Sequence, residues 1–311
     1  MHKSSLYRTA LYFDAVRRHG SIREAARHLD IAASAVNRQV LNLEEELGLA
    51  LFERLPGGMS LTPAGEVMAR HAIAVLQDER RAWSEFEALR GLRRGEIAVI
   101  CAESLNARFL PRIIERMATR YPGLSIRLRT EGSNDIPQSL RDGDSDIGIA
   151  FSLRRDSGLQ QLAVERLRLG AVVRAGHPLI GDAIEGTISF AHCVRHRLIM
   201  PSVDLSIHSL MAPLRQRFEG RLDIMMETNS VTLMKNLTQT LDVVAFQARI
   251  GIEAELADRS LVFLPLARPG PVVTELGVYL RQGRTLSAAL DMFVALVREE
   301  MAGCVIADER P

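Results

Sequence analysis

The feature that most constrains this chain is a helical pattern that runs from residue 63 to about Arg90 without a breaker. Thr62 offers a capping oxygen and Pro63 suits the first helical position. Met68, Ala72, Val75, Glu79, Ala82, Phe86 and Leu89 then follow at alternating spacings of four and three, with Glu79 the one polar interruption. So narrow a seam on so long a helix is the geometry of helix pairing, whereas docking on a broad core needs a wider stripe. The pattern therefore predicts a dimer joined along residues 63–91, with separate compact units before and after it. A length of 311 residues fits two or three such units.

Before the seam the chain reads as short helices. Ser21, Ile22, Arg23 and Glu24 have capping-box spacing and follow Gly20, which suits the end of the preceding helix. Ala25, Ala26 and Leu29 are small enough on that helix to let another cross closely. A third helix starts after Asp30, Ile31 and Ala32, with Val36, Val40, Leu43 and Leu47 as its buried stripe and Ser34, Asn37, Arg38 and Leu41 or Asn42 outward. Two helices about a short turn, the second with a polar outer face, make a helix-turn-helix over about 21–40; a plain three-helix bundle with a solvated face would give the same pattern. Pro56, Gly57 and Gly58 lie between two short extended segments and predict a wing-like hairpin.

From Gly95 the texture changes. Strands at 97–101, 126–130 and 147–151 alternate with helices near 110–121 and 136–141, and the pattern recurs with strands at 197–200, 222–226 and 243–246 and helices near 207–218 and 231–240. Two βαβαβ runs predict parallel sheets flanked by helices, arranged as two lobes about a cleft. An amphipathic helix over about 287–301 closes the pattern.

The net charge is +1, but residues 1–43 carry seven Arg or Lys against three Asp or Glu, while residues 96–311 carry 25 against 26. An electrostatic footprint for nucleic acid thus belongs at the front. Arginine is the default cation, since only Lys3 and Lys235 are lysines. Cys101, Cys193 and Cys304 are odd in number and far apart, which argues against a disulfide framework. No apolar run reaches membrane-spanning length and the N-terminus does not read as a signal peptide, so a cytoplasmic protein is expected.

Nucleotide-binding, serine-hydrolase and zinc-protease motifs are missing, so an enzyme is not expected, nor is any cofactor. His192, Cys193 and His196 have ligand chemistry without a clear fourth partner, and no metal is expected there. A thiol-based redox sensor is a further alternative, but Cys193 lacks a neighbouring cysteine and reads as a buried, inert thiol.

The ordered series Phe13-Asp14-Ala15-Val16, Gly20-Ser21-Ile22, Glu24-Ala25-Ala26, Ala35-Val36-Asn37-Arg38-Gln39-Val40, Leu43-Glu44-Glu45-Glu46-Leu47-Gly48, Leu51-Phe52-Glu53-Arg54 and Leu61-Thr62-Pro63-Ala64-Gly65-Glu66 closely resembles the LysR-type transcriptional regulators. Weaker matches continue at Leu110-Pro111, Tyr121-Pro122, Gly143 with Asp146, His177-Pro178-Leu179 and 261–266. The resemblance implies an α/β protein overall: a winged helix-turn-helix at 1–62, a linker helix at 63–91, and a two-lobed, periplasmic-binding-protein-like (type 2) domain at 95–302. Lobe I would take about 95–165 and 272–302, and lobe II about 166–271. It also implies a double-stranded DNA operator, a small-molecule effector and self-association as dimer or tetramer, with RNA polymerase as a further partner.

Ser21, Ala33, Ser34, Asn37, Arg38, Arg54 and Thr62 are the expected DNA-binding residues. Ala32 and Ala33 replace a common Ser-Gln pair, and the wing tip lacks the arginines of many relatives. Open α/β sheets bind ligands beyond the carboxyl ends of their strands, where small polar residues precede several helices. Ser104, Asn106, Ser133, Ser202, Asn229 and Ser230 are therefore expected around an effector; Leu105, Glu131 and Pro201 are expected there as well, with Phe151 and Phe246 as apolar walls. Asn134 and Ser206 belong to the same pre-helix sets. Helix N-termini favour anions, which points to a small carboxylate; the alternative is that these residues only cap their own helices.

Overall fold

A computed structural model describes residues 5–89, 95–153, 158–268 and 270–309, apart from the side chains of Ser5, Ala88, Arg268 and residues 305–309. The chain divides into two units, Met1–Phe86 and Glu87–Pro311.

The first unit is built from α1 (Ser5–His19), α2 (Ile22–Leu29), α3 (Ala33–Leu47), an antiparallel hairpin of β1 (Phe52–Leu55) and β2 (Gly58–Leu61), and α4 (Pro63–Leu89). Ser21 Oγ caps α2 by accepting from the Glu24 amide at 3.5 Å. The reciprocal arm of the expected box does not form, because Glu24 pairs with Arg27 instead, a charged partner that outcompetes a neutral amide. Phe13, Val16, Ala25, Ala26, Val36, Val40, Leu51, Phe52, Met68 and Ala72 make one core.

Leu43 packs against this core, but Leu47 is 47% exposed, contrary to the expected stripe. The last turn of α3 outruns the core, and Gly48 in the left-handed conformation ends the helix directly after it. Glu44 turns the chain toward the hairpin: its Oε1 accepts from the amides of Leu51 at 2.7 Å and Phe52 at 3.2 Å. Thr62 Oγ1 donates to Ala50 O at 2.7 Å and accepts from the Gly65 amide at 3.0 Å, fixing the start of α4. Gly65 is required there, since a Cβ would stand 2.0 Å from Leu51 O. The expected end of the linker at residue 91 lies outside the described residues.

The second unit has two lobes. The first contains β3 (Gly95–Cys101), a 3-10 turn at Glu103–Asn106, α5 (Phe109–Arg120), β4 (Leu124–Thr130), α6 (Ile136–Arg141), β5 (Ile147–Phe151) and β6 (Leu159–Arg168). The second holds β7 (Gly170–Arg174), β8 (Ile188–Ser189), α7 (Phe190–Cys193), β9 (Arg197–Pro201), α8 (Ser206–Arg217), β10 (Ile224–Thr228), α9 (Val231–Thr240), β11 (Val243–Gln247), α10 (Glu253–Ala257) and β12 (Leu261–Arg268). The chain then returns to the first lobe as β13 (Val273–Arg281) and α11 (Ala288–Glu309).

Strand order is β4-β3-β5-β13-β6 in one sheet and β10-β9-β11-β7-β12-β8 in the other. The βαβαβ strands pair in parallel as expected. The sheets are nevertheless mixed, because β13 and β6 extend the first, and β7 and β12 the second, by antiparallel pairing. These four strands flank the two passages between lobes, from β6 to β7 and from β12 to β13. Just after β11, Ala248 and Ile250 pack in the first lobe's core beside Leu105 and Phe109. The second lobe's core centres on Val173, Phe190, Leu198, Met211 and Phe246.

Candidate DNA-reading face and ligand cleft

On α3, Ser34 and Arg38 are one turn apart and exposed, and Asn37 is half-buried beside them, so the three share a face. Ala33 begins the helix, and Ala32 at the cap position offers no side-chain bond, leaving the first amides open to an acceptor from outside. Arg54 is exposed on β1. Ser21 and Thr62, in contrast, spend their hydroxyls on helix caps.

Farther along α4 the seam changes character. Met68 and Ala72 are buried in the unit's own core and Val75 packs against it. Beyond them Trp83, Phe86 and Leu89 are exposed, Phe86 at 55% and Leu89 at 86%. Glu79 accepts from Trp83 Nε1 at 3.3 Å, so its carboxylate is already engaged within its own helix.

In the second unit a cleft between the lobes is lined by Glu103, Ser104, Ser133, Phe151, Ser206 and Gln247, with Thr274 beside them. Of the expected effector residues, Ser104, Ser133 and Phe151 line it. Ser133 Oγ accepts from the Phe151 amide at 3.2 Å, holding strand end and loop together. Leu105 is in the first lobe's core, and Asn106 is exposed and donates to Thr130 Oγ1 at 2.9 Å. Glu131 pairs with Arg129, Pro201 is buried at the end of β9, Ser202 donates to Asp204 Oδ2 at 3.3 Å, and Asn229 is exposed.

Phe246 is not a wall of the cleft: it is fully buried in the second lobe and packs on Phe190 with centroids 5.5 Å apart. Successive strand residues point to opposite faces. Gln247, one residue on, is therefore the side chain that lines the cleft.

Gln247 is 3% exposed, and its Nε2 has no hydrogen-bond partner among the described residues. The same cleft is lined by the N-terminus of α8, which begins at Leu205 and Ser206 with no side-chain cap. The other helix start, that of α9, is served differently. Ser230 caps it by accepting from the Leu233 amide, and Glu103 reaches across from the first lobe. The Glu103 carboxylate accepts from the Val231 amide at 2.7 Å, the Thr232 amide at 3.2 Å and Ser230 Oγ at 3.2 Å. Gly251, at φ 96°, lies against Ser104, where a Cβ would be 2.9 Å from Ser104 O. Two further bonds run between the lobes' loops: Asn134 Nδ2 donates to Val203 O at 2.7 Å and the Asn134 amide reaches Asp204 O at 3.5 Å. Neither Glu103 nor Gln247 stood out in the sequence, since their partners are set by tertiary contact.

The candidate metal ligands diverge. His192 Nδ1 contacts Ser189 Oγ, Cys193 is buried with Sγ toward Ser189 O, and His196 meets His177 edge-on. No group of three or more ligating side chains is found among the described residues.

A winged helix-turn-helix with a polar outward helix, followed by two α/β lobes around a cleft, defines a ligand-responsive DNA-binding regulator. Residues 7–66 match the bacterial regulatory helix-turn-helix protein, lysR family, and residues 90–302 the LysR substrate binding domain. The chain belongs to the LysR family of transcriptional regulators. The RuBisCO operon transcriptional regulator of Allochromatium vinosum is 29% identical over 296 residues, covering 93% of this chain and 94% of its own length. A full-length OxyR variant from Pseudomonas aeruginosa superposes with a TM-score of 0.69 at 15% identity, covering 100% of both chains. The effector binding domain of QuiR in complex with shikimate superposes with a TM-score of 0.55 at 15% identity, covering 68% of this chain and 98% of its own. At those identities the two structures speak to the fold.

Proposed function

We propose that this regulator binds an imperfect inverted repeat as a dimer and that a small carboxylate, held between its lobes, sets the DNA-binding state. Residues 1–62 read the operator through Ser34, Asn37 and Arg38, with Arg54 contacting the backbone beside the groove. Residues 63–91 join the dimer, and residues 95–302 sense the effector, with further pairing of these domains giving a tetramer. The protein works in the cytoplasm, where RNA polymerase is its downstream partner.

The observation that carries the effector assignment is that the uncapped α8 N-terminus and the buried Gln247 amide nitrogen, unpartnered among the described residues, line the same cleft. Helix-start amides and an amide N–H together suit a carboxylate, with the hydroxyls of Ser104, Ser133 and Ser206 nearby. Phe151 and Ile250 give the rest of the molecule an apolar surface. Shikimate, the ligand of the QuiR domain, is itself a small carboxylate, which agrees with this reading. Binding alters DNA affinity only if the effector favours one lobe arrangement over the other.

A thermal-shift screen of small carboxylates against their primary amides tests the assignment on wild type and a Ser104→Ala, Gln247→Leu variant. The carboxylates are expected to raise the Tm of wild type and to lose most of that effect in the variant. Equal stabilisation of both proteins would place the binding elsewhere.

A further inference from the structure

Among the described residues two α-helix N-termini line the cleft, and they are not equivalent. That of α8 has no side-chain cap, and the same cleft is lined by Gln247, whose amide nitrogen has no partner among the described residues. That of α9 already holds a carboxylate supplied by this chain itself. Glu103 comes from the first lobe, 128 residues away in sequence from Val231, and its two oxygens take up the Val231 and Thr232 amides and the Ser230 hydroxyl.

Among the described residues the cleft lining contains no Lys, Arg or His, and Glu103 is the one charged residue there. Asp204, two residues before α8, directs Oδ2 to the Ser202 hydroxyl and not to the α8 amides. The favourable end of a helix dipole acts only within the first turn. A second negative group brought near α9 would therefore meet the Glu103 carboxylate where it needs N–H donors. Like charges in a partly buried site repel strongly and leave one of them without donors.

We infer that Glu103 is a specificity-determining residue that fills one of the cleft's two anion sites, so that the effector is a monocarboxylate with an apolar body. This rests on the carboxylate reading of the cleft given above. The single carboxylate binds at α8 and Gln247, and Phe151, Ile207, Val231 and Ile250 receive the remainder. Diacids are excluded by a charge the protein carries itself. Removing that charge should admit them.

The test is calorimetric titration of the full chain with straight-chain monocarboxylates from butyrate to octanoate and with the α,ω-dicarboxylates of the same lengths. Wild type, Glu103→Gln and Glu103→Ala are compared, with far-UV circular dichroism showing that each is folded. In wild type the best monoacid is expected to bind at least tenfold more tightly than the diacid of its length. In Glu103→Ala that ratio should shrink by tenfold or more, with Glu103→Gln in between. A diacid that matches the monoacid in wild type overturns the inference. So does a ratio unchanged in Glu103→Ala, including the case in which both classes gain together because the ligand merely displaces Glu103. Should neither class bind any of the three proteins, the carboxylate reading falls and this inference with it.

Discussion

Arg284 Nη2 lies 2.7 Å from Asp146 Oδ1, with the two side chains only 9% and 10% exposed. The other oxygen of Asp146 accepts from the Ala98 amide at 2.9 Å, so one carboxylate ties β3, the start of β5 and the segment after β13 together. Removing one partner of a buried ion pair strands the other charge, which typically costs about 3 to 5 kcal/mol. Asp146→Ala should lower the stability of the second unit by about that amount in urea unfolding. An Asp146→Leu, Arg284→Met pair should recover much of the loss but not all, because the Ala98 amide remains unpaired at about 1 to 3 kcal/mol. A double variant no better than Asp146→Ala would contradict the stranded-charge account.

His177 meets His196 edge-on, with ring centroids 4.8 Å apart, and is 2% exposed. Its Nδ1 accepts from the Leu179 amide at 3.1 Å. Burial first, and the neighbouring His196 next, push its pKa below the ordinary histidine value; Arg174 adds to this and Asp242 opposes it. The unfolded chain then takes up a proton before the folded one does, so the contribution is intact above about pH 6.5 and shrinks as pH falls toward the lowered folded value. The Tm of wild type should therefore drop more steeply below pH 6.5 than that of His177→Asn. Parallel profiles would remove His177 from the acid response.

The thiols offer a direct contrast. Burial pushes Cys193 up to about 12 and Cys101 up to about 11, whereas Cys304 is half-buried. The thiolate is the reactive form, so Cys101 and Cys193 should be inert at neutral pH. Ellman's reagent should titrate one thiol quickly in the native protein and three after denaturation. Rapid reaction of Cys193 would revive the redox-sensor reading.

The dimer seam is to be tested at its exposed end. Val75 belongs to the first unit's own packing, and changing it would test folding instead of assembly. Phe86→Asp with Leu89→Asp places two charges on exposed apolar positions and should leave the fold intact. Light scattering should then report monomers, and operator affinity should fall by a factor of about 100 or more as the two half-sites uncouple. A variant that stays dimeric would move the interface elsewhere.

Much of this architecture was legible, and for definite reasons. Helices 136–141 and 231–240 and strand 147–151 fall on the expected residues because small polar residues precede each helix and the strand is a short apolar run. Strand β6 escaped notice: most of its residues are only partly buried or exposed, its apolar pattern is weak, and its identity comes from a long antiparallel pairing with β13. Local pattern carries no sign of such a partner. The cleft was half legible. Ser104, Ser133, Phe151 and Ser206 follow from strand ends and helix starts, but placing Phe246 on the wall erred by one residue of strand phase. Glu103 is invisible to any local reading, since its role is made by a helix 128 residues away.

Operator reading by α3 is measured by fluorescence anisotropy. Duplex fragments selected from the source genome would be titrated with wild type and with Arg38→Ala. If Arg38 contacts a base edge, its loss should cost about 1 to 3 kcal/mol and relax the preference at one position of each half-site. An Arg38→Ala protein that binds the selected repeat with wild-type affinity and wild-type preference would show that Arg38 does not read the operator.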